Sequence, residues 1–203
     1  SQVFGYYDHN MTVMIERAKD HIENPKKYTP RQRLWYIRAK EVILSTGSIE
    51  RPLVFGNNDR PGIMLASAAK EYLKTYGVLV GKKPIIFTNN DGAYDLAIEF
   101  KKNKIDPLII DLRENSEGAA VKEAKNLNIN IRFSHAIANT EGYRRVNSAV
   151  IGKLNKDKSG YENLENISCD SICISGNWTP TVHLSSQSGN KLKFDEKINA
   201  FTP

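Results

Sequence analysis

Between residues 84 and 135 the sequence alternates short apolar runs with longer stretches whose apolar residues recur at helical spacing. The short runs predict buried strands, and apolar residues three and four positions apart predict amphipathic helices. Strands that alternate with helices in this way form a parallel sheet with right-handed crossovers. The segment therefore predicts a Rossmann-like βαβαβ unit with these elements: strand 84–88, helix 92–103, strand 107–111, helix 116–126 and strand 129–135.

The turn after the first of these strands lacks the G-x-G-x-x-G fingerprint of a dinucleotide site. Its sequence, TNNDGA at 88–93, contains one glycine. The side chains before that glycine obstruct a pyrophosphate, and Asp91 adds negative charge at the helix N-terminus, where it can also cap the helix. Asp111 lies about twenty residues further on, where a ribose-binding acid belongs. We expect the turn to bind no nucleotide and Asp111 to be structural; ribose binding by Asp111 is the alternative.

Segments on both sides of this unit have strand patterns of their own. Residues 2–7 and 11–15 predict two strands joined by a turn, and residues 33–47 predict a strand pair. The run Val42-Ile43-Leu44 and the run Ile172-Cys173-Ile174 are too apolar to face water, because burying each large aliphatic side chain contributes about 1.5–3 kcal/mol. We therefore expect the strands that contain these two runs, 41–46 and 168–175, to pair in one partial sheet.

This pattern predicts a nested α/β chain. An outer domain begins the chain, is interrupted by the βαβαβ unit and then resumes. The predicted bounds are 1–56 for the first segment of the outer domain, 57–141 for the inserted domain and 142–203 for the second outer segment.

Small residues end both of the outer strands. Ser45, Thr46 and Gly47 end one strand, and Ser175, Gly176 and Asn177 end the other. Glycine, serine and threonine at the carboxyl end of a parallel strand let the backbone approach a ligand closely, although a glycine after a strand is more often only a turn. If the two strands share a sheet, Gly47 and Gly176 lie at the same edge.

Charge and composition narrow the class of protein. The net charge is +6 and the isoelectric point is about 9.2, but the basic residues are interleaved with acidic ones along the chain. This distribution argues against a nucleic-acid-binding protein, for which clustered basic residues are typical. No apolar run approaches the roughly 20 residues that cross a bilayer, and no signal peptide opens the chain. The absence of an initiator methionine predicts a piece of a longer protein.

The cysteines and histidines suggest no metal site. Cys169 and Cys173 lie roughly 13 Å apart on a strand that rises about 3.3 Å per residue, which is too far for a disulfide. Reduced, buried thiols in a cytoplasmic protein are the better interpretation. The four histidines are scattered and show no ligand spacing.

Three long stretches resemble the alpha subunit of heterotetrameric sarcosine oxidase. They are RAKEVILSTGSIERPLVFGNNDRPGIMLASAAKEYL, FTNNDGAYDLAIEF and SGNWTPTVHLSSQSGNKLKFDE. The resemblance covers nearly the whole chain, and ERPLVFGNNDRPGIM is its most specific part. Opine-type and cyanide-forming amine dehydrogenases share a looser pattern and remain an alternative.

The resemblance implies a flavoprotein-type fold with two dinucleotide-binding domains, like that of glutathione reductase. Residues 1–56 and 142–203 are then an outer FAD/NAD-binding-type domain, and residues 57–141 are an inserted NAD(P)-binding-like domain. It implies an oxidase that demethylates sarcosine to glycine, passes the one-carbon unit to tetrahydrofolate and forms hydrogen peroxide. In such an enzyme NAD lies in the alpha subunit, FAD in the beta subunit and FMN at their boundary. The partners are beta, gamma and delta subunits, and the delta subunit holds zinc.

The resemblance also implies which residues contact the dinucleotide of the outer domain. The matching positions are Ser45, Thr46, Gly47, Gly176, Asn177 and Trp178. Family members more often have Gly-Gly-Trp-Asn-Pro where this chain has Gly-Asn-Trp-Thr-Pro at 176–180. The chain shows no general base, so we expect no turnover by the chain alone. A docking module with a vestigial nucleotide site is a second hypothesis.

Overall fold

A computed structural model describes residues 1–203, which form two compact units. Unit 1 contains residues Ser1–Ile49 and Thr179–Pro203, and unit 2 contains residues Glu50–Trp178. Both ends of the chain therefore belong to unit 1, and unit 2 is inserted between them in the sequence.

Fifteen strands, four α-helices and one 3₁₀ turn make up these units. The helices are α1 (Ala66–Tyr76), α2 (Tyr94–Lys102), α3 (Ala119–Asn126) and α4 (His183–Gln187), and the 3₁₀ turn is Asp91–Ala93. The strands are β1 (Gln2–Tyr7), β2 (Met11–Arg17), β3 (Gln32–Arg38), β4 (Ser48–Glu50), β5 (Ile63–Leu65), β6 (Pro84–Thr88), β7 (Leu108–Asp111), β8 (Asn130–Phe133), β9 (His135–Glu141), β10 (Ser148–Leu154), β11 (Tyr161–Ser168), β12 (Ser171–Ser175), β13 (Trp178–Pro180), β14 (Lys193–Asp195) and β15 (Ala200–Thr202).

A five-stranded sheet in the order β5-β12-β6-β7-β8 forms the centre of unit 2. All of its pairings are parallel. The predicted α/β class with a parallel sheet is therefore confirmed. Strand β6 has the predicted bounds, and β7, α2 and α3 lie within the predicted ranges.

Neighbouring residues of the central strands point to opposite faces of the sheet, because the side-chain period of a strand is two. Ile86, Ile109 and Cys173 pack against the side where α1, α2 and α3 lie. Ile85 and Ile172 pack on the other side, against residues of β9 and β10. Both faces are therefore covered, as is typical of a parallel sheet.

The second face is covered by an antiparallel sheet of three strands in the order β11-β10-β9. Ile137 and Ile151 from this sheet are almost fully buried. Strand β11 lies at its edge and is exposed along nearly its whole length. Because its sequence, YENLENIS, is mostly polar, the hydrophobic pattern did not predict this strand.

The predicted pairing of strands 41–46 and 168–175 is wrong. Residues 41–47 form no strand, and the side chain of Ile43 is 89% exposed. Strand β12 lies instead between β5 and β6, where Cys173 pairs with Met64 and Ile86. Residues 41–47 take part in no strand pairing, so their apolar pattern does not produce a strand.

Unit 2 also extends beyond the bounds 57–141 predicted for the inserted domain. Residues 142–178 belong to it, because β10 pairs with β9 and β12 pairs with β6. Residues 50–56 belong to it as well. There Phe55 packs edge-on against Phe87 with a centroid distance of 5.7 Å.

Unit 1 contains the antiparallel sheet β1-β2-β3 and the hairpin β14-β15. His9 and Asn10 both have positive φ and lie in the three-residue loop between Tyr7 of β1 and Met11 of β2. The two predicted strands and their turn are confirmed. Helix α4 packs on β1, and the backbone N–H of Tyr6 donates to Oε1 of Gln187 at 3.1 Å.

The two cysteines are free and buried in unit 2, as predicted. Burial raises the pKa of the Cys173 thiol to about 12 and that of the Cys169 thiol to about 11. Both groups therefore remain protonated thiols near neutral pH, and neither is an activated nucleophile.

Replacing Ile86 by alanine should destabilise unit 2 by about 2–5 kcal/mol, because Ile86 is fully buried and its deletion leaves a cavity. The matched change Ile43→Ala should alter the free energy of unfolding by no more than about 0.5 kcal/mol, since Ile43 is exposed. Urea unfolding followed by circular dichroism measures both values. Equal losses for the two variants would show that residues 41–47 are packed in a core.

Candidate functional site

The carboxyl ends of the parallel strands in unit 2 form one edge of the sheet. Ser175 of β12 pairs with Thr88 of β6, and Thr88 pairs with Asp111 of β7. In open α/β sheets ligands bind in the crevice outside this edge. The turn TNNDGA and Asp111, for which ribose binding was the alternative, both lie here, so the candidate site is this edge.

Asn90 holds the turn that follows β6. Its Oδ1 accepts a hydrogen bond from the backbone N–H of Gly92 at 2.9 Å. Its Nδ2 donates to the carbonyl oxygen and to Oγ of Ser175, both at 3.1 Å. Oγ1 of Thr88 accepts from the N–H of Asn90 at 3.0 Å. In a dinucleotide site the backbone N–H groups of such a turn donate to phosphate. Here the N–H of Gly92 donates to the side chain of Asn90 instead.

Arg113, which follows strand β7, forms an ion pair with Asp91. Nη1 of Arg113 donates to Oδ1 of Asp91 at 2.7 Å, and Oγ of Ser116 donates to the same oxygen at 2.9 Å. Gly118 leaves room for this carboxylate, because an added Cβ would lie 1.8 Å from Oδ2 of Asp91. The negative charge that a phosphate would bring is therefore already supplied by Asp91.

Asp111 is fully buried and bonded on both oxygens. Nε and Nη2 of Arg113 donate to its Oδ1 and Oδ2 at 3.0 and 2.8 Å. The hydroxyl of Tyr94 donates to Oδ2 at 2.6 Å. Burial and this hydrogen bond raise the pKa of Tyr94 well above its usual value, and the bonds to Asp111 raise the pKa of Arg113. This arrangement supports a structural role for Asp111.

Sequence patterns did not identify Arg113, Ser116 or Gly118 as part of this edge. Arg113 follows Asp111 by two residues, and its backbone N–H also donates to Oδ1 of Asp111 at 3.0 Å. An arginine two residues after a strand-ending acid is a usable signal, but its second bond, to Asp91, spans 22 residues. Only the parallel register of β6 and β7 brings these two acids together.

The turn at 176–178 is packed against an earlier segment of unit 2. The N–H of Gly176 donates to the carbonyl oxygen of Arg51 at 2.6 Å, and the N–H of Arg51 donates to the carbonyl of Asn177 at 2.8 Å. A Cβ on Gly176 would lie 2.9 Å from the carbonyl oxygen of Pro52. Glycine is therefore needed here because the chain itself approaches, and the side chain of Trp178 is partly exposed.

Ser45, Thr46 and Gly47 belong to unit 1 and follow no strand. Oγ1 of Thr46 donates to the carbonyl of Thr181 at 2.6 Å, and the N–H of Thr181 donates to the carbonyl of Gly47 at 2.9 Å. Gly47 has φ of 66°, and no atom lies within 4 Å of the position of an added Cβ. The expected meeting of Gly47 and Gly176 at one sheet edge is wrong, because β12 belongs to the sheet of unit 2.

Among the described residues, which include the whole chain, no three His, Cys, Asp or Glu side chains form a group that could hold a metal ion. No helix combines the length and apolar character needed to cross a bilayer.

The fold is similar to that of several solved structures. L-proline dehydrogenase from P. horikoshii superposes on 100% of this chain and 32% of its own length with a TM-score of 0.61 at 20% identity. Thioredoxin reductase from T. acidophilum superposes on 81% of this chain and 53% of its own length with a TM-score of 0.62 at 17% identity. The chain therefore shares an α/β fold with FAD/NAD-dependent oxidoreductases, as predicted.

The sequence is also similar to those of particular proteins. Sarcosine oxidase subunit alpha from Corynebacterium sp. (strain P-1) is 36% identical over 204 residues, which cover 99% of this chain and 21% of the relative. The alpha subunit from Rhizobium meliloti (strain 1021) is 34% identical over 198 residues, 98% of this chain and 19% of the relative. The resemblance to sarcosine oxidase alpha subunits is confirmed, and the chain spans about a fifth of their length. No family model matches the sequence.

Replacing Arg113 by methionine should destabilise unit 2 by about 3 kcal/mol, because it leaves Asp111 buried without its charged partner. The matched change Lys122→Met, at an exposed ion pair with Glu117, should cost less than about 1 kcal/mol. Adding Asp111→Asn to the Arg113→Met variant should restore part of the loss in urea unfolding. An Arg113→Met variant as stable as Lys122→Met would contradict a structural role for this pair.

Titration with NAD up to about 1 mM, the upper end of typical KM values, should leave the amide signals of residues 88–93 and of Asp111 unmoved. The reason is that Asn90 and Asp91 occupy the place of the pyrophosphate. Two-dimensional ¹H–¹⁵N spectra at constant ionic strength measure this, with sodium chloride as the control. Saturable shifts at these residues would show a nucleotide site at the turn.

Proposed function

We propose that this chain is a segment of an oxidoreductase subunit of the sarcosine oxidase alpha type. The observation that supports this most directly is 36% identity to such a subunit along 99% of the chain. The fold likeness to FAD/NAD-dependent oxidoreductases agrees with it. Unit 1 is then part of the outer dinucleotide-binding domain, and unit 2 is the inserted NAD(P)-binding-like domain.

The proposed reaction of the whole enzyme is the oxidative demethylation of sarcosine, an oxidation at a CH–NH group. Glycine and hydrogen peroxide are formed, and tetrahydrofolate accepts the one-carbon unit at a region outside this chain. The proposed partners are beta, gamma and delta subunits in the cytoplasm. The chain alone supplies no group for the chemical step, because the substrate-oxidising flavin belongs to another subunit.

NAD is the cofactor proposed for the alpha subunit, and FAD and FMN are proposed mainly for the beta subunit and its boundary. The structure allows the fit to be judged at the proposed contacts. The proposed contacts are Ser45, Thr46 and Gly47 and, separately, Gly176, Asn177 and Trp178. An added Cβ on Gly47 would meet no atom within 4 Å, which supports a close approach at that residue. The backbone of Gly176 faces Arg51 and Pro52, which argues against a close approach at that turn.

A docking module with a vestigial nucleotide site is the second candidate function. It is favoured by one observation, the bonding of Asn90, Asp91 and Asp111 to the protein itself at the edge where a nucleotide would bind. In this case unit 2 keeps the fold without the ligand, since function depends on sites rather than on folds. A related opine or amine dehydrogenase subunit is the other alternative for the reaction.

A chimeric enzyme separates these possibilities. The matching segment of the Corynebacterium sp. (strain P-1) alpha subunit is replaced by these 203 residues and assembled with its own partners. Sarcosine-dependent peroxide formation should be retained, and the isolated chain should form no peroxide. Peroxide from the isolated chain, or an assembled chimera that binds NAD but does not oxidise sarcosine, would overturn the proposed reaction.

Within this chimera, Gly47→Leu should lower NAD affinity at least about tenfold, because the side chain fills the space that the backbone leaves open. Gly77→Leu is a matched control, since Gly77 has the same φ of 66° and an equally open Cβ position. Both variants therefore bear the same backbone strain. Equal NAD affinity in the two variants would favour the docking module.

A further inference from the structure

Strand β3 forms an open edge of the β1-β2-β3 sheet in unit 1. It pairs with β2 alone, in a regular antiparallel register along all of its residues. Every residue of β3 is exposed. At the other edge of the sheet, α4 packs on β1, and Gln187 accepts a hydrogen bond from the N–H of Tyr6. A long edge strand without a proline, a bulge or a covering element is a template on which another strand can pair.

The register shows which backbone groups face the open edge. The N–H of Ala39 donates to the carbonyl of Asn10 of the β1–β2 loop at 3.2 Å. The carbonyl of Arg31 accepts from the N–H of Ala18 at 2.9 Å. Odd-numbered residues of this segment therefore face β2, and residues of an antiparallel pair alternate in direction. The N–H and carbonyl groups that point to the open edge belong to the even-numbered residues of the strand: Gln32, Leu34, Tyr36 and Arg38.

Apolar side chains flank these unpaired backbone groups. Leu34 and Tyr36 lie on one face of the sheet and are 51% and 68% exposed. Trp35 and Ile37 lie on the other face and are exposed as well. Nε1 of Trp35 donates to Oε2 of Glu16 at 2.8 Å, which holds the indole in place. The edge thus offers a hydrogen-bond ladder together with apolar contacts, a combination that matches an extended peptide rather than a nucleic acid.

The charge along the edge favours an acidic partner. Residues 31–40 carry four basic side chains and no acidic one. Acids from elsewhere in unit 1 pair with Arg31 and Arg33. Arg38 and Lys40 are exposed and take part in none of the ion pairs of the chain. Two copies of β3 would bring like charges together, which disfavours self-pairing, whereas carboxylates on a different strand would be attracted.

We propose that the open edge of β3 binds an extended acidic segment of a partner protein, which adds a fourth strand to the sheet. The backbone of that segment pairs with the outward groups of β3. Its apolar side chains lie beside Leu34 and Tyr36, and its carboxylates face Arg38 and Lys40. In this mode of recognition the main-chain hydrogen bonds give affinity and the side chains give specificity. The open edge contains none of the proposed nucleotide contacts and does not depend on the proposed reaction.

The peptide ETETVTVT, blocked at both ends, is a suitable probe. Paired antiparallel with β3, it places its two valines beside Leu34 and Tyr36 and its second glutamate beside Arg38. Titration into the ¹⁵N-labelled 203-residue chain should shift the amide signals of β3 saturably, most strongly at its even-numbered residues. We expect Kd on the order of 1 mM, because a free peptide must be ordered and buries few side chains.

Two control peptides separate the two parts of the contact. The peptide KTKTVTVT keeps the strand pattern and reverses the charge. The second control is ETETVTVT methylated on the backbone nitrogens of its second glutamate and both valines, which removes the donors that face β3 and keeps the charge. Each control should bind at least about fivefold more weakly than ETETVTVT. Oligothymidylate at the same ionic strength should leave the β3 signals unmoved.

Arg38→Glu is the decisive variant, because it reverses the charge at an exposed position and keeps every bond between β2 and β3. Its affinity for ETETVTVT should fall about fivefold, and its affinity for KTKTVTVT should rise. Arg144→Glu is the matched control, since Arg144 is an exposed basic residue of unit 2 and the change in net charge is the same. Both affinities should be unchanged in this control.

Several results would overturn the proposal. They are the absence of a saturable shift in β3, equal affinity for ETETVTVT and either control peptide, and unchanged affinities in Arg38→Glu. Equal shifts with oligothymidylate would assign the edge to polyanions in general. Shifts of the β3 signals with protein concentration alone would assign it to a second copy of this chain.

Discussion

The parallel pairing of β12 with both β5 and β6 is the interaction on which unit 2 depends. Strand β12 follows β6 by more than eighty residues in the sequence and lies between β5 and β6 in the sheet. Its five residues are all buried, with Cys173 toward the helices and Ile172 and Ile174 toward the antiparallel sheet. Because both faces of β12 bury apolar surface, the helices and the β9–β11 sheet are held on opposite faces of one parallel sheet.

The same pairing builds the candidate site. Ser175 ends β12 beside Thr88, so the carbonyl and hydroxyl of Ser175 reach the Asn90 side chain. On the other side of β6, the register with β7 brings Asp111 near Asp91, and one arginine satisfies both acids. The edge that holds phosphates in dinucleotide-binding proteins is here closed by the protein's own hydrogen bonds and ion pairs.

This closure bears on the proposed role of the chain. The resemblance assigns NAD to the outer domain, and the bonding at the turn of unit 2 is consistent with an inserted domain that needs no nucleotide at that edge.

Residues close in sequence made much of the fold predictable. The alternation of strands and helices from 84 to 135 predicted the parallel sheet, because β6 and β7 contain continuous apolar runs and the helices each have an apolar face. The absence of the glycine fingerprint at residues 88–93 and the burial of the two thiols were also predicted from local sequence. Strand β11 was missed because an exposed edge strand has no apolar periodicity to detect.

What only the tertiary structure decided was which apolar runs become strands and where they pair. Residues 42–44 and 172–174 are similarly apolar, yet only the second run has partners on both sides, β5 and β6. Arg113 could not be assigned to the site for the same reason, since its contact with Asp91 depends on the register of two strands. A strand needs a neighbour to complete its hydrogen bonds, and a sequence pattern specifies burial but does not specify that neighbour.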